Sequence, residues 1–142
     1  MTPVRAMLGL SGGLLVLGVL APPATGAVFI RLITTSVHRG GLVRIESDAD
    51  RLAVYALPAR RLPCARDDTC SDPIHRSRRP SGAPFVFLGR TQNARSFAIR
   101  LSPTMRAGRY FVFVWCAACG NSLIVAGTDP SGRPQPLDVL EQ

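Results

Sequence analysis

Four cysteines and a cluster of arginines hold most of the chemistry this chain could perform. Cys64 and Cys70 enclose five residues, and Cys116 and Cys119 enclose two. A Cys-x-x-Cys dithiol can work by thiol exchange: the first thiolate attacks a partner disulfide and the second cysteine resolves the adduct. Four thiolates can also bind zinc, but paired ligands in structural zinc sites stand closer than the first pair does here. In an oxidising compartment the same cysteines become disulfides. The local pairing, Cys64–Cys70 and Cys116–Cys119, is the favoured one, each small loop contributing only about 2 kcal/mol. Such bonds would pin a loop and a hairpin turn. The connectivities that join the two pairs stay open.

Arg60, Arg61, Arg66, Arg76, Arg78 and Arg79 fall within one segment, with His75, Asp67, Asp68 and Asp72 among them. Guanidinium forks match phosphate and carboxylate groups bidentately, and a disulfide would hold them in place. The same segment also reads as a solvated loop in an arginine-biased chain, partly neutralised by its own aspartates. Long loops carry function more often than strands do, so it is the first choice of binding surface for an anionic partner. Neither Asp67, Asp68 and Asp72 nor Glu46, Asp48 and Asp50 has the spacing of a calcium loop, and turn formation explains both groups. His38 and His75 are the only histidines, and neither belongs to a recognisable catalytic motif. No Gly-x-Ser-x-Gly, His-Glu-x-x-His or phosphate-loop pattern is present. The residues therefore point away from an enzyme, with no catalytic residue, metal ligand or cofactor assigned.

The compartment follows from residues 1–27, which read as a secretory signal peptide. Arg5 supplies the positive start, Met7 to Leu20 the apolar stretch, and Thr25 and Ala27 the small residues at the −3 and −1 positions. The stretch is short for a membrane helix, and Gly12, Gly13 and Gly18 weaken it further. No cysteine stands near the cleavage site to take a lipid, and no second span follows. The expected product, residues 28–142, is secreted or held in the cell envelope without a stable membrane span. The net charge is +8 and every basic residue is arginine; cleavage removes Arg5 and no acid. Such a charge favours anionic partners. Complete use of arginine over lysine, with abundant Ala, Gly and Pro, is also what a GC-rich bacterial genome writes. Secretion removes most nucleic-acid partners, so none is expected.

Short apolar runs separated by Gly, Pro, Asp and Ser must position these residues, and none keeps a helical period. Strands are expected at Val28–Thr34, Leu42–Ser47, Leu52–Leu57, Phe85–Gly89, Ser96–Leu101, Arg109–Trp115 and Leu123–Gly127. A turn is expected at His38–Gly41 and a long irregular loop over 58–84. Arg109–Trp115 is apolar on both faces, as a covered central strand would be. Leu137–Leu140 reads as a last edge strand, with a frayed tail over 128–142 as the alternative. Seven or eight short strands in one domain make an all-β, antiparallel sandwich.

Three resemblances refine this reading. Trp115-Cys116-Ala117-Ala118-Cys119 resembles the active-site motif of thioredoxin-like oxidoreductases, but those place it at the start of a helix, whereas Gly120-Asn121 and a β-like run follow here. Gly108, Tyr110 and Cys116 are similar to the last strands of cupredoxins, yet no histidine follows Cys116 to complete a copper site. Gly108-Arg109-Tyr110 also resembles the Gly-x-Tyr opening of a strand in Ig-like domains, which implies a buried tyrosine tied to an adjoining loop. With the leader, Leu88 to Arg90 and the late Cys-x-x-Cys, the layout resembles small secreted Ig-like β-sandwich proteins of unknown function from GC-rich bacteria. The expectation is a non-enzymatic extracellular or envelope domain that binds an unknown protein or anionic component through its loops. The alternatives are a small extracytoplasmic thiol–disulfide protein using Cys116 and Cys119, or a purely structural envelope component.

Overall fold

Alternation of apolar and polar residues at period two sets the strands. In Leu42–Ser47 the residues Val43, Ile45 and Ser47 are buried while Leu42 and Arg44 face solvent. A computed structural model describes residues 28–62, 77–91 and 95–142. The leader and its cleavage site, Cys64, Cys70, Arg66, Arg76, His75 and the acids Asp67, Asp68 and Asp72 lie outside the described residues.

Among the described residues nine strands run in chain order: β1 (Ile30–Leu32), β2 (Ser36–His38), β3 (Leu42–Ser47), β4 (Ala53–Pro58), β5 (Val86–Arg90), β6 (Ser96–Arg100), β7 (Gly108–Cys116), β8 (Ser122–Val125) and β9 (Pro136–Leu140). A single 3₁₀ turn, Ala59–Arg61, follows β4. The described chain is all-β in two sheets, one of which curls into a half-barrel. The smaller sheet has the order β1-β3-β6, and the larger β2-β9-β7-β4-β5 with β8 also paired to β7. β9 and β8 share one edge of β7, β9 against Gly108–Phe111 and β8 against Phe113–Cys116.

Three expectations are corrected. The expected strand Val28–Thr34 is reduced to Ile30–Leu32, and a further strand, Ser36–His38, lies in the other sheet just before the turn expected at His38–Gly41, which is present. The amides of Ile33 and Thr34 still donate to the Arg44 carbonyl, the Thr34 hydroxyl accepts from the Arg44 amide, and the chain then crosses to β9. Strands that change sheet at a bend are a usual way to turn a sandwich corner. β2 pairs parallel to β9, so the larger sheet is mixed rather than purely antiparallel. The chain end is neither frayed nor at an edge: β9 lies between β2 and β7, with Leu137 and Val139 buried.

The main core sits between the sheets. Val43, Ile45 and Leu101 face Val54, Val112, Val114 and Leu137, all essentially inaccessible to water. β4 and β7 are covered on the other face as well, where Tyr55, Leu57, Phe111, Phe113 and Trp115 pack with Leu62 and Leu123. That second core explains why both strands are apolar almost throughout. Leu62, just after β4, and Phe85, just before β5, help to cover this outer face.

Candidate functional site

Of the arginines read as one cluster, the four that are described lie in different places. Arg60 and Arg61 lie on the 3₁₀ turn after β4, while Arg78 and Arg79 precede β5. Arg79 turns to the outer face, where its Nε donates to the Tyr55 hydroxyl at 3.1 Å. Arg60 goes to the end of the molecule and lines a cavity of about 620 Å³ with Arg106 and Arg109. Arg61 and Arg78 are exposed and line neither place.

Local sequence builds this cavity from three sides. Pro58 ends β4 and starts the tight turn that carries Arg60. Ser102–Ala107 links β6 to β7; the Ser102 carbonyl accepts from the Met105 amide, and the Thr104 amide donates to Ser102 Oγ at 3.2 Å. The Ser102 and Thr104 hydroxyls are hydrogen-bonded to each other at 2.7 Å and face the same cavity. Met105 is buried and roots the loop in the core. Tyr110, also buried, donates its hydroxyl to the Arg106 carbonyl at 2.8 Å. The tyrosine therefore fixes the backbone that presents Arg106, the structural part expected of it from Gly108-Arg109-Tyr110.

The three guanidiniums differ in what they are free to do. Arg109 is committed: its Nε and Nη2 donate to Asp138 Oδ1 and Oδ2 at 2.9 and 3.3 Å across the β7–β9 ladder. The hydrogen bond to Arg109 holds the Asp138 carboxyl below the usual carboxylate range against a partial desolvation. Arg60 and Arg106 make no side-chain hydrogen bond or ion pair among the described residues. Among the described residues no acid lines the cavity, and Val86, Met105 and Pro58 give it an apolar side. Two unpaired forks beside hydroxyl groups suit an anionic group attached to a less polar body. Arg106 went unremarked in the sequence because Ser102–Gly108 carried only turn signals, and Arg109 was read only as part of its strand. Arg106 lies four residues before the tyrosine whose hydroxyl it anchors, and that spacing was the available clue.

The cysteine pair forms one of the two expected bonds. Cys116 and Cys119 are disulfide-linked with Cα atoms 5.2 Å apart, which excludes pairing of either with Cys64 or Cys70. The bond closes the β7–β8 hairpin, where Gly120 and Asn121 adopt left-handed φ values of 78° and 56°. Cys116 is fully buried in the main core and Cys119 half-buried at its margin. Thiol exchange is obstructed in both directions. Attack on Cys116 has no approach, and attack on Cys119 would expel a thiolate into apolar surroundings. No helix N-terminus stands at this hairpin to stabilise such a charge.

Glu46, Asp48 and Asp50 do not form a cation site among the described residues. Glu46 pairs with Arg31 at 2.6 Å, and Asp48 Oδ1 accepts from the Phe29 amide at 2.7 Å. His38 lies on β2, its Nδ1 hydrogen-bonded with the Glu141 carbonyl at 2.6 Å. Comparison with known proteins adds no relative: no protein family, curated protein or solved structure matches the chain.

Proposed function

We propose that this protein is a non-enzymatic, extracytoplasmic binding domain of Ig-like type. It holds an anionic group of a cell-envelope partner, a phosphate or a carboxylate, between Arg60 and Arg106. The observation that carries this reading is the convergence of two guanidiniums from separate segments on one cavity that, among the described residues, has no acid in its lining and leaves both of them unpaired.

Strand order supports the Ig-like part. A first strand divided between sheets, β1-β3-β6 on one side and β2-β9-β7-β4-β5 on the other, follows the arrangement of variable-type Ig domains. The Tyr110 hydroxyl bond fits the same pattern. Two marks differ: the disulfide does not link β3 to β7, and Trp115 lies on β7 rather than β4. The leader over residues 1–27 and the Cys116–Cys119 bond support the location. Among the described residues no helix is long and apolar enough to cross a membrane.

The test is binding of a soluble poly(glycerol phosphate) probe to the secreted chain. The expected result is binding that falls steeply with salt and weakens about tenfold in each of Arg60→Ala and Arg106→Ala. Binding that ignores salt, or that survives both substitutions unchanged, contradicts the reading.

A further inference from the structure

A second concave surface lies on the outer face of the larger sheet, at its β5 edge. It is lined by Tyr55, Arg79, Phe85, Phe87 and Arg90 with the turn before β5, encloses about 580 Å³, and has no acid in its lining among the described residues. Its aromatic rings are already organised. Tyr55 meets Phe85 edge-on at 6.3 Å and Phe87 at 5.5 Å, and Phe85 stands edge-on to the buried Phe113 at 5.8 Å. Phe87 is the member left open, with 53% of its surface exposed. Half-exposed Phe is costly in water, and here it is held rigidly beside two cations.

The register of β5 places those cations. Tyr55 pairs with Phe87 and Ala53 with Arg90, while Val54 pairs with Gly89, so Leu88 is the extra residue of a β-bulge. In a regular strand Phe87 and Arg90 would point to opposite faces. The bulge turns Leu88 toward the main core and brings Phe87 and Arg90 to the same outer face. Thr91 then pins the strand end, its amide donating to the Leu52 carbonyl at 2.9 Å and its hydroxyl accepting from the Leu52 amide at 3.1 Å. On the other side Arg79 is fixed by its Nε bond to the Tyr55 hydroxyl, which leaves its Nη atoms available. The Arg90 guanidinium has no partner among the described residues.

The geometry points to a second binding site, in which the exposed ring of Phe87 receives the apolar face of an anionic sugar while Arg90 and Arg79 hold its carboxylate, the repeating unit of an acidic polysaccharide. The charge of the lining calls for an anion, and the ring face calls for a flat, partly apolar body attached to it. An extended peptide would need to add to the β5 edge through regular backbone bonds, and the bulge at Leu88 interrupts that ladder. The site is independent of the cavity at Arg60 and Arg106.

The probe is a short oligogalacturonate, titrated calorimetrically into the secreted chain, with its methyl ester and poly-glutamate as controls. Oligogalacturonate is expected to bind and the two controls to fail. Phe87→Ala and Arg90→Ala should each weaken it about tenfold or more, and Phe87→Trp should preserve it. Arg60→Ala should leave it unchanged, which separates this site from the cavity at the molecule's end. Both test positions are solvent-exposed, and an unchanged melting temperature confirms that the variants fold. Absence of binding, equal binding of poly-glutamate, or binding insensitive to Phe87→Ala and Arg90→Ala would each overturn the proposal.

Discussion

At the scale of single residues, arginines close in sequence serve different places. Arg60 and Arg79 belong to the same run, yet one reaches the cavity beside Arg106 and the other the aromatic face beside Tyr55. The types of residue were legible, because a guanidinium suits an anion wherever it stands. Their grouping was not, because the turn after β4 and the approach to β5 carry Arg60 and Arg79 to different places, which composition does not encode. Tyr110 was legible through the resemblance of Gly108-Arg109-Tyr110 to the strand opening of Ig-like domains, which implied a hydroxyl tied to an adjoining loop. Tyr110→Phe removes the bond to the Arg106 carbonyl and leaves that acceptor short of a donor. The expected loss is about 1 kcal/mol by urea denaturation, with weaker anion binding as the loop bearing Arg106 loosens. Equal stability and equal binding would show that the hydroxyl does not hold this loop.

At the scale of elements, strand faces followed the period-two pattern where one face is buried. β3 and β6 turn Val43, Ile45 and Ile99 inward as their alternation requires. Three features escaped the pattern for physical reasons. β2 is three residues long with two of them exposed, and so carries too little alternation to be read. The bulge at Leu88 adds a residue without any change of composition. β9 was read as a strand over Leu137–Leu140, but its inner place between β2 and β7 depends on pairings that its few apolar residues do not encode. Leu137 is fully buried, so Leu137→Ala should cost about 3 kcal/mol, within the range for large-to-small core changes. A loss near zero would return residues 136–140 to the frayed tail. Between β8 and β9, Gly127 has φ 88°, and a Cβ there would stand 3.1 Å from Leu32 Cβ. Only glycine permits this crossing between β8 and the β1 end of the other sheet.

At the scale of the whole molecule, two cores flank one sheet, and charge is carried on loops and sheet margins. Acid should loosen the molecule where carboxylates are held below their ordinary range. Asp129 is lowered chiefly by the Ser131 hydroxyl and the Arg133 amide, and Asp138 chiefly by Arg109. Both bind protons more readily unfolded than folded, so their contribution is complete above the unfolded carboxylate value of about 4 and is lost as pH falls through the lower folded values. Urea midpoints should therefore hold from neutral pH to about 5 and decline below about 4, and Asp138→Asn should remove part of that decline. A midpoint that rises on acidification would contradict the assignment. The central claim is that the open end of the molecule, between Arg60 and Arg106, receives an anion. The most direct measurement is an NMR titration of the secreted chain with poly(glycerol phosphate), following backbone amides and arginine side chains together. The account predicts saturable shifts at Arg60, Ser102–Arg109 and the Tyr110 ring, abolished in Arg106→Ala. Shifts spread over every exposed arginine, or absent from that loop, would contradict it.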